Sequence, residues 1–157
     1  MSEDQPTKDN INPAHYRGHA SGVECIEIVR HFSFSLGNAV KYLWRWKDKN
    51  GVEDLKKSLW YFHDALLPPP SGLTPDTLRL GNLQLVVSTE VREAIGRSGA
   101  DAVLATVLSQ ILWFSQRTYF TKEEELHAWM DTRYTCSKAV EKAIADVESR
   151  GTAGGAT

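Results

Sequence analysis

The sequence predicts a mainly α, small multi-helix domain, and three observations carry that prediction. Apolar residues recur at steps of three and four through Val52, Leu55, Leu59, Phe62 and Leu66, the buried stripe of an amphipathic helix. Ala100 to Arg117 is a second helical run, apolar on too many sides for a surface helix. Thr121-Lys122-Glu123-Glu124 has the spacing of a capping box ahead of a third. Only Leu78 to Val87 reads differently: its loose alternation around Gly81-Asn82 fits one short β hairpin near residues 78–87, or else a turn of helix.

A chain of 157 residues with 41% hydrophobic content fills one domain or two very small ones. Its formal charge of -2 lacks the strongly basic footprint of a domain that binds duplex nucleic acid, so any basic patch is local. Cys25 and Cys136 stand far apart with no CxxC spacing and no His/Cys cluster, which argues against a zinc site. Both read as buried thiols in a reducing compartment. No apolar run approaches the roughly 18 residues of a membrane span, and the polar start from Met1 to Asn12 lacks the apolar centre of a signal peptide. The expected location is the cytoplasm, away from membranes.

In chain order, residues 1–10 are charged and polar and read as a disordered tail. Ile11 to Tyr16 reads as extended, because Pro13 biases Asn12 away from helix. His15 and Tyr16 then present two hydrogen-bonding rings side by side, and Arg17 to Gly22 completes a loop able to curl over a ligand. Val23 to His31 reads as a short helix with Val23, Ile26 and Val29 inward and Glu24 and Glu27 near its positive end. Glu24 is either a dipole-compensating residue or an acid placed for a sugar hydroxyl or an amine. Phe32, Phe34 and Leu36 read as core plugs.

Residues 37–49 pack four cations, Lys41, Arg45, Lys47 and Lys49, and three aromatics, Tyr42, Trp44 and Trp46, into one stretch. A helix capped by Asn38, with Gly37 turning the chain before it, puts Lys41 and Arg45 one turn apart on a wet face. Cations beside aromatic rings hold a phosphate and stack a base; the plainer alternative is a solvated surface with tryptophans filling a core. Trp44 and Trp46 are not expected to face one core together. On the following helix, Val52 to Leu67, Glu53 and Lys57 form an i,i+4 pair. Asp54, Lys57 and Tyr61 share a polar face expected to border Lys41 and Arg45.

Pro68-Pro69-Pro70-Ser71-Gly72 is the sharpest boundary, since three prolines cannot continue a helix. It divides a module at 11–67 from one at 75–150 through a Pro-rich linker at 68–74. In the second module Ser88 or Thr89 is expected to cap a short helix through Ile95. The apolar run from Ala100 to Arg117 is expected at the centre of this half or in a subunit contact. A helix from Thr121 through Met130 precedes a last one from Thr135 to Arg150, and 151–157 reads as a disordered tail.

Four blocks, Asn12-Pro13-x-His15-Tyr16, Gly22-x-Glu24-Cys25-Ile26, Phe34-x-x-Gly37-Asn38-Ala39-x-Lys41-Tyr42-Leu43-x-Arg45 and Glu53-Asp54-Leu55-Lys56-Lys57-x-x-Trp60-Tyr61, stand in order within residues 11–67. Together they resemble a small bacteriophage domain family of unknown function that includes a phage nucleotide (deoxynucleoside monophosphate) kinase. The resemblance implies phosphoryl transfer to deoxynucleoside monophosphates with a nucleoside triphosphate such as ATP as donor, in the host cytoplasm. The positions it carries over are His15, Tyr16, Glu24, Asn38, Lys41, Tyr42, Arg45, Asp54 and Lys57, as nucleotide or phosphate contacts; it assigns no catalyst and no metal ligand. At Trp46 family members carry small residues, which implies a reshaped pocket or a changed ligand.

Phosphoryl transfer needs positioning and charge neutralisation more than covalent work by the protein, which suits these residue types. One short domain offers no second nucleotide site, so the sequence predicts a homo-oligomer. Two other functions fit the same residues. One is a non-catalytic protein that sequesters a nucleotide, such as a signalling nucleotide of host defence. The other is a module that binds single-stranded nucleic acid or protein through exposed tryptophans.

Overall fold

The computed structural model describes residues 10–69, 77–97 and 99–153. The expected tail at 1–10 apart from Asn10, the linker beyond Pro69 and residues 154–157 lie outside them. Among the described residues there are seven α-helices, one 3₁₀ turn and no strand. The helices are α1 (Ala14–Arg17), α2 (Cys25–Val29), α3 (Phe34–Arg45), α4 (Val52–Asp64), α5 (Thr77–Glu93), α6 (Val103–Gln116) and α7 (Lys122–Ala153). No helix among them is long and apolar enough to cross a membrane.

The segment expected to be extended is a single helical turn, α1, because Pro13 is tolerated ahead of a first turn and here stands at the N-cap. Glu24 closes a capping box on α2: its backbone N–H donates to the Glu27 carboxylate at 2.8 Å, and its own side chain accepts from the Glu27 N–H. This helix is shorter than expected, and Ile26 stays half exposed while Val23, Cys25 and Ile28 turn inward.

α3 starts a turn earlier than its composition suggests. Ser33, not Asn38, is the cap, accepting from the Leu36 N–H at 3.4 Å, and Asn38 sits inside the helix with its amide donating to the Phe34 carbonyl at 2.9 Å. Gly37 makes no turn either; a Cβ there would stand 3.2 Å from the Val29 carbonyl, so its small size lets α2 approach α3. Phe34 is 77% exposed rather than a core plug, while Leu36 is fully buried. Trp44 and Trp46 are both buried, at 8% and 9% exposure. Helical geometry separates them only if the helix continues, and α3 stops at Arg45, where the chain turns and the Gly51 N–H closes onto the Trp46 carbonyl at 2.8 Å.

α3 and α4 run antiparallel, because their contacts reverse in order: Arg45 with Asp54, the Ala39 carbonyl with the Ser58 hydroxyl at 2.9 Å, and Ser35 with Asp64. Leu55 and Phe62 of α4 are fully buried, and Leu66, expected on the same stripe, lies past the helix end and is exposed.

The hairpin expected near 78–87 is instead part of α5. Leu83, Val86 and Val87 are buried at helical spacing, and Leu85, which alternation would have turned inward, is half exposed. Thr89 caps nothing; its hydroxyl donates to the Leu85 carbonyl at 2.9 Å in mid-helix. α6, preceded by the 3₁₀ turn Gly99–Ala102, buries Leu104, Val107, Leu108, Ile111 and Phe114 in its own chain and leaves Trp113 half exposed.

The capping box at Thr121 and Glu124 forms, with backbone N–H to side-chain distances of 3.1 Å in both directions. The helix it starts does not end at Met130. It runs unbroken to Ala153, since no Gly or Pro interrupts it before Gly151, and Thr135 bonds the Asp131 carbonyl instead of capping. Trp129 of α7 is fully buried and donates from Nε1 to the Ala65 carbonyl at 2.9 Å. Buried residues on both sides of the proline run, among them Val40, Leu55, Phe62, Val86, Leu108 and Trp129, form one hydrophobic core.

Candidate functional site

At the turn between α3 and α4, Arg45 is the centre of a polar network. Its Nε donates to Asp54 Oδ2 at 3.0 Å, its Nη2 to Asp54 Oδ1 at 3.3 Å and its Nη1 to the Tyr16 hydroxyl at 2.7 Å. Asn50 Nδ2 donates to Asp54 Oδ1 at 3.1 Å. Asp54 is fully buried and Arg45 nearly so. A buried carboxylate is tolerated only when paired and hydrogen-bonded, and these three donors meet that need. Arg45 is therefore not on a wet face: it is spent on Asp54 and on Tyr16, and it fixes where the Tyr16 ring stands.

Lys41, one turn earlier, is in a different position. Its ammonium donates to the neutral Asn38 Oδ1 at 2.7 Å and stands 5.0 Å from the centre of the Tyr42 ring. Burial first, and repulsion from Arg45 second, hold its pKa below the usual lysine value. A carboxylate partner would relieve both, and among the described residues Lys41 has no ion pair. It lines a surface hollow of about 300 Å³ with Asn12, Tyr16, Cys25, Ile26 and Val29. The hollow has an apolar floor, one amide and one cation, the composition that takes a small molecule with an anionic end. The Cys25 thiol is pushed up to about 12 by burial, which keeps it protonated and unreactive.

Tyr42 gathers the remaining cations. Arg45 stands 4.7 Å and Lys57 5.8 Å from its ring centre, and Tyr61 stacks on it at 5.7 Å with an interplanar angle of 17°. Lys57 is held by Glu53, the pair expected from their spacing. Glu24 accepts from Asn12 Nδ2 at 3.2 Å and so steadies the segment beside the hollow, without lining it.

His15 faces elsewhere. It lines a second cavity of about 220 Å³ with His19, Trp44, Trp46, Lys47 and Asp101. Its Nε2 is buried without a hydrogen-bond partner among the described residues. Burial, then Lys49 and Arg45, lower its pKa, so the ring is neutral at pH 7. Trp46 borders this second cavity and not the Lys41 hollow. His19 closes the same cavity through Glu90 of α5, with Nε2 2.6 Å from Oε1.

Tyr16, Lys41, Tyr42, Arg45 and Asp54 thus come together, with Asn38 and Lys57 at the edge, Glu24 behind Asn12, and His15 packed on Tyr16 with ring centres 4.3 Å apart but lining the second cavity. Asn12 and Asn50 are the residues that composition did not single out as contacts. Asn50 stands four residues before Asp54, a local signal, whereas the Asn12–Glu24 and His19–Glu90 contacts cross loops and leave no local trace. Among the described residues no three His, Cys, Asp or Glu side chains gather as a metal site.

A protein-family model described as a protein of unknown function (DUF3310) matches residues 11–63, a span that contains all nine predicted site positions. No curated protein and no solved structure matches the chain.

Proposed function

We propose that this protein processes nucleotides, taking a nucleoside monophosphate into the Lys41 hollow for kinase-like phosphoryl transfer. Lys41 carries the reading: a partly desolvated ammonium without a carboxylate partner among the described residues, at the rim of a hollow of about 300 Å³. An anion placed there recovers the electrostatic energy that burial and Arg45 withhold. In this reading Lys41 contacts phosphate, the Asn12 amide and the Tyr16 ring meet the nucleoside, and Arg45 positions Tyr16. The resemblance to the phage family supplies the reaction, with ATP as donor and a second copy of the chain completing the donor site.

The test is turnover. Each deoxynucleoside monophosphate is incubated with ATP and magnesium, and diphosphate formation is followed for wild type and Lys41→Ala. Diphosphate that vanishes in the variant supports the proposal; a folded protein inert towards every pair removes the kinase half of it.

One observation favours the sequestering alternative. Arg45 is already committed to Asp54, so the hollow holds one available cation where a transferring phosphoryl group benefits from several. A nucleotide bound tightly and recovered unchanged from heat-denatured complex identifies a trap.

A further inference from the structure

We infer that Lys41 is a nucleophilic amine and that the hollow beside it captures small apolar aldehydes as an imine on its Nζ, a covalent activity that goes beyond nucleotide processing and does not depend on it. A lysine attacks a carbonyl carbon only through its neutral amine, so its surroundings must disfavour the ammonium. Those of Lys41 do. Its Nζ stands 5.0 Å from the Tyr42 ring centre, and the Arg45 guanidinium, a permanent cation, stands 4.7 Å from the same centre. Its hydrogen-bond acceptor is the neutral amide oxygen of Asn38, at 2.7 Å. The other lysines among the described residues lack this combination. Lys47, Lys56, Lys57 and Lys138 each have a carboxylate partner, in Asp101, Glu148, Glu53 and Glu141. Lys49, Lys122 and Lys142 are exposed to water, which solvates an ammonium. Lys41 is half-buried without an ion pair among the described residues, and the lowering of its pKa by burial and by Arg45 agrees with that placement.

The hollow selects the carbonyl compound. Its volume of about 300 Å³ holds a molecule of a few carbons, and Cys25, Ile26 and Val29 give it an apolar floor. A keto acid would need a second cation for its carboxylate, and Arg45 is committed to Asp54, so an uncharged aldehyde is the better fit. In the reaction the nitrogen lone pair of neutral Lys41 forms a bond to the carbonyl carbon, both nitrogen hydrogens pass to the carbonyl oxygen, and that oxygen leaves as water. A C=N double bond remains. Tyr16 lines the same hollow, and because Arg45 can only donate to its oxygen, at 2.7 Å, the phenol keeps a hydrogen to pass to the departing oxygen. The Cys25 thiol, protonated through burial, does not compete for the aldehyde. The same lysine that meets an anion when protonated thus attacks a carbonyl carbon when neutral.

The experiment exposes the full chain to butanal and sodium cyanoborohydride at about pH 7.5, so that each imine is reduced to a stable secondary amine, and follows alkylation of every lysine over time by peptide mass spectrometry. Lys41 is expected to be trapped about tenfold faster than Lys49, Lys122 and Lys142, which serve as exposed references within the same chain. Asn38→Asp keeps the shape of the side chain and gives Lys41 a carboxylate; once circular dichroism and a thermal melt establish that it folds, it should abolish that lead and leave the references unchanged. The trapping rate at Lys41 should also level off at a lower pH than the rates at the references. Trapping at Lys41 no faster than at the references, or a lead that Asn38→Asp retains in full, overturns the inference. Deoxynucleoside monophosphate turnover is measured on untreated protein and plays no part in these rates, so failure of the kinase reading and failure of this one are read separately.

Discussion

Arg45 and Asp54 are joined by two hydrogen bonds at 3.0 and 3.3 Å, and this buried pair ties the end of α3 to the start of α4. Removing either partner leaves an uncompensated charge in the interior. Asp54→Ala is expected to lower stability by about 3–5 kcal/mol in urea titration, and Arg45→Ala by a similar amount. A conservative Arg45→Lys, which cannot bridge both carboxylate oxygens and Tyr16 at once, should fall in between. Loss of activity in Arg45→Ala is thus uninformative about phosphate contact unless the variant is shown to be folded.

Lys41 gives a pH signature. Its folded pKa lies below the ordinary 10.5, and a bound anion favours the charged form and raises it again. Affinity for a nucleoside monophosphate should therefore decline as pH rises through the lowered value, earlier than an ordinary lysine would allow. Arg45 stays protonated and does not contribute. Calorimetric titrations between about pH 7 and pH 10 should show the decline in wild type and its absence in Lys41→Arg.

His15 makes the fold acid-sensitive. Its neutral form is favoured in the folded chain because burial, then Lys49 and Arg45, lower its pKa beneath the ordinary 6.5. The unfolded chain thus takes the proton first as pH falls through about 6.5, so stability present above that value is lost progressively below it. Urea midpoints at about pH 7.5 and pH 5.5 should differ more for wild type than for His15→Gln. An equal difference in both would assign the acid response to other groups.

Trp129 holds α7 against the end of α4. Trp129→Phe keeps most of the buried ring but orphans the Ala65 carbonyl, at an expected cost of about 1–3 kcal/mol. The dependence of unfolding on denaturant should stay constant, because both helices belong to the same core.

Gly99 has φ +64°, and a Cβ there would collide with the Asp146 carboxylate that accepts the Ala100 N–H at 2.9 Å. Gly99→Ala is expected to lower the melting temperature by several degrees, since both the backbone and the neighbour must move, at a cost above about 1 kcal/mol.

Helix class, the α4 stripe and the capping box at Thr121 were legible from the sequence because each is a contact between residues three or four apart. The Glu53–Lys57 pair belongs to the same group. Where local signals were ambiguous they misled: Leu83, Leu85 and Val87 alternate, yet the core took Leu83, Val86 and Val87. Asn38 looks like a cap after glycine, but Ser33 lies earlier and Gly37 serves the packing of α2.

The sequence by itself determined that two cations flank a tyrosine on one helix, that a carboxylate follows nine residues later, and that a His-Tyr pair precedes both. Only the tertiary structure decided what each does. The antiparallel return of α4 brings Asp54 to Arg45 and removes that cation from solvent, while Lys41, one turn away, meets an amide instead of a carboxylate. Which of two like charges remains available depends on the partner that the fold carries to it, and spacing along one helix holds no record of a neighbour from another.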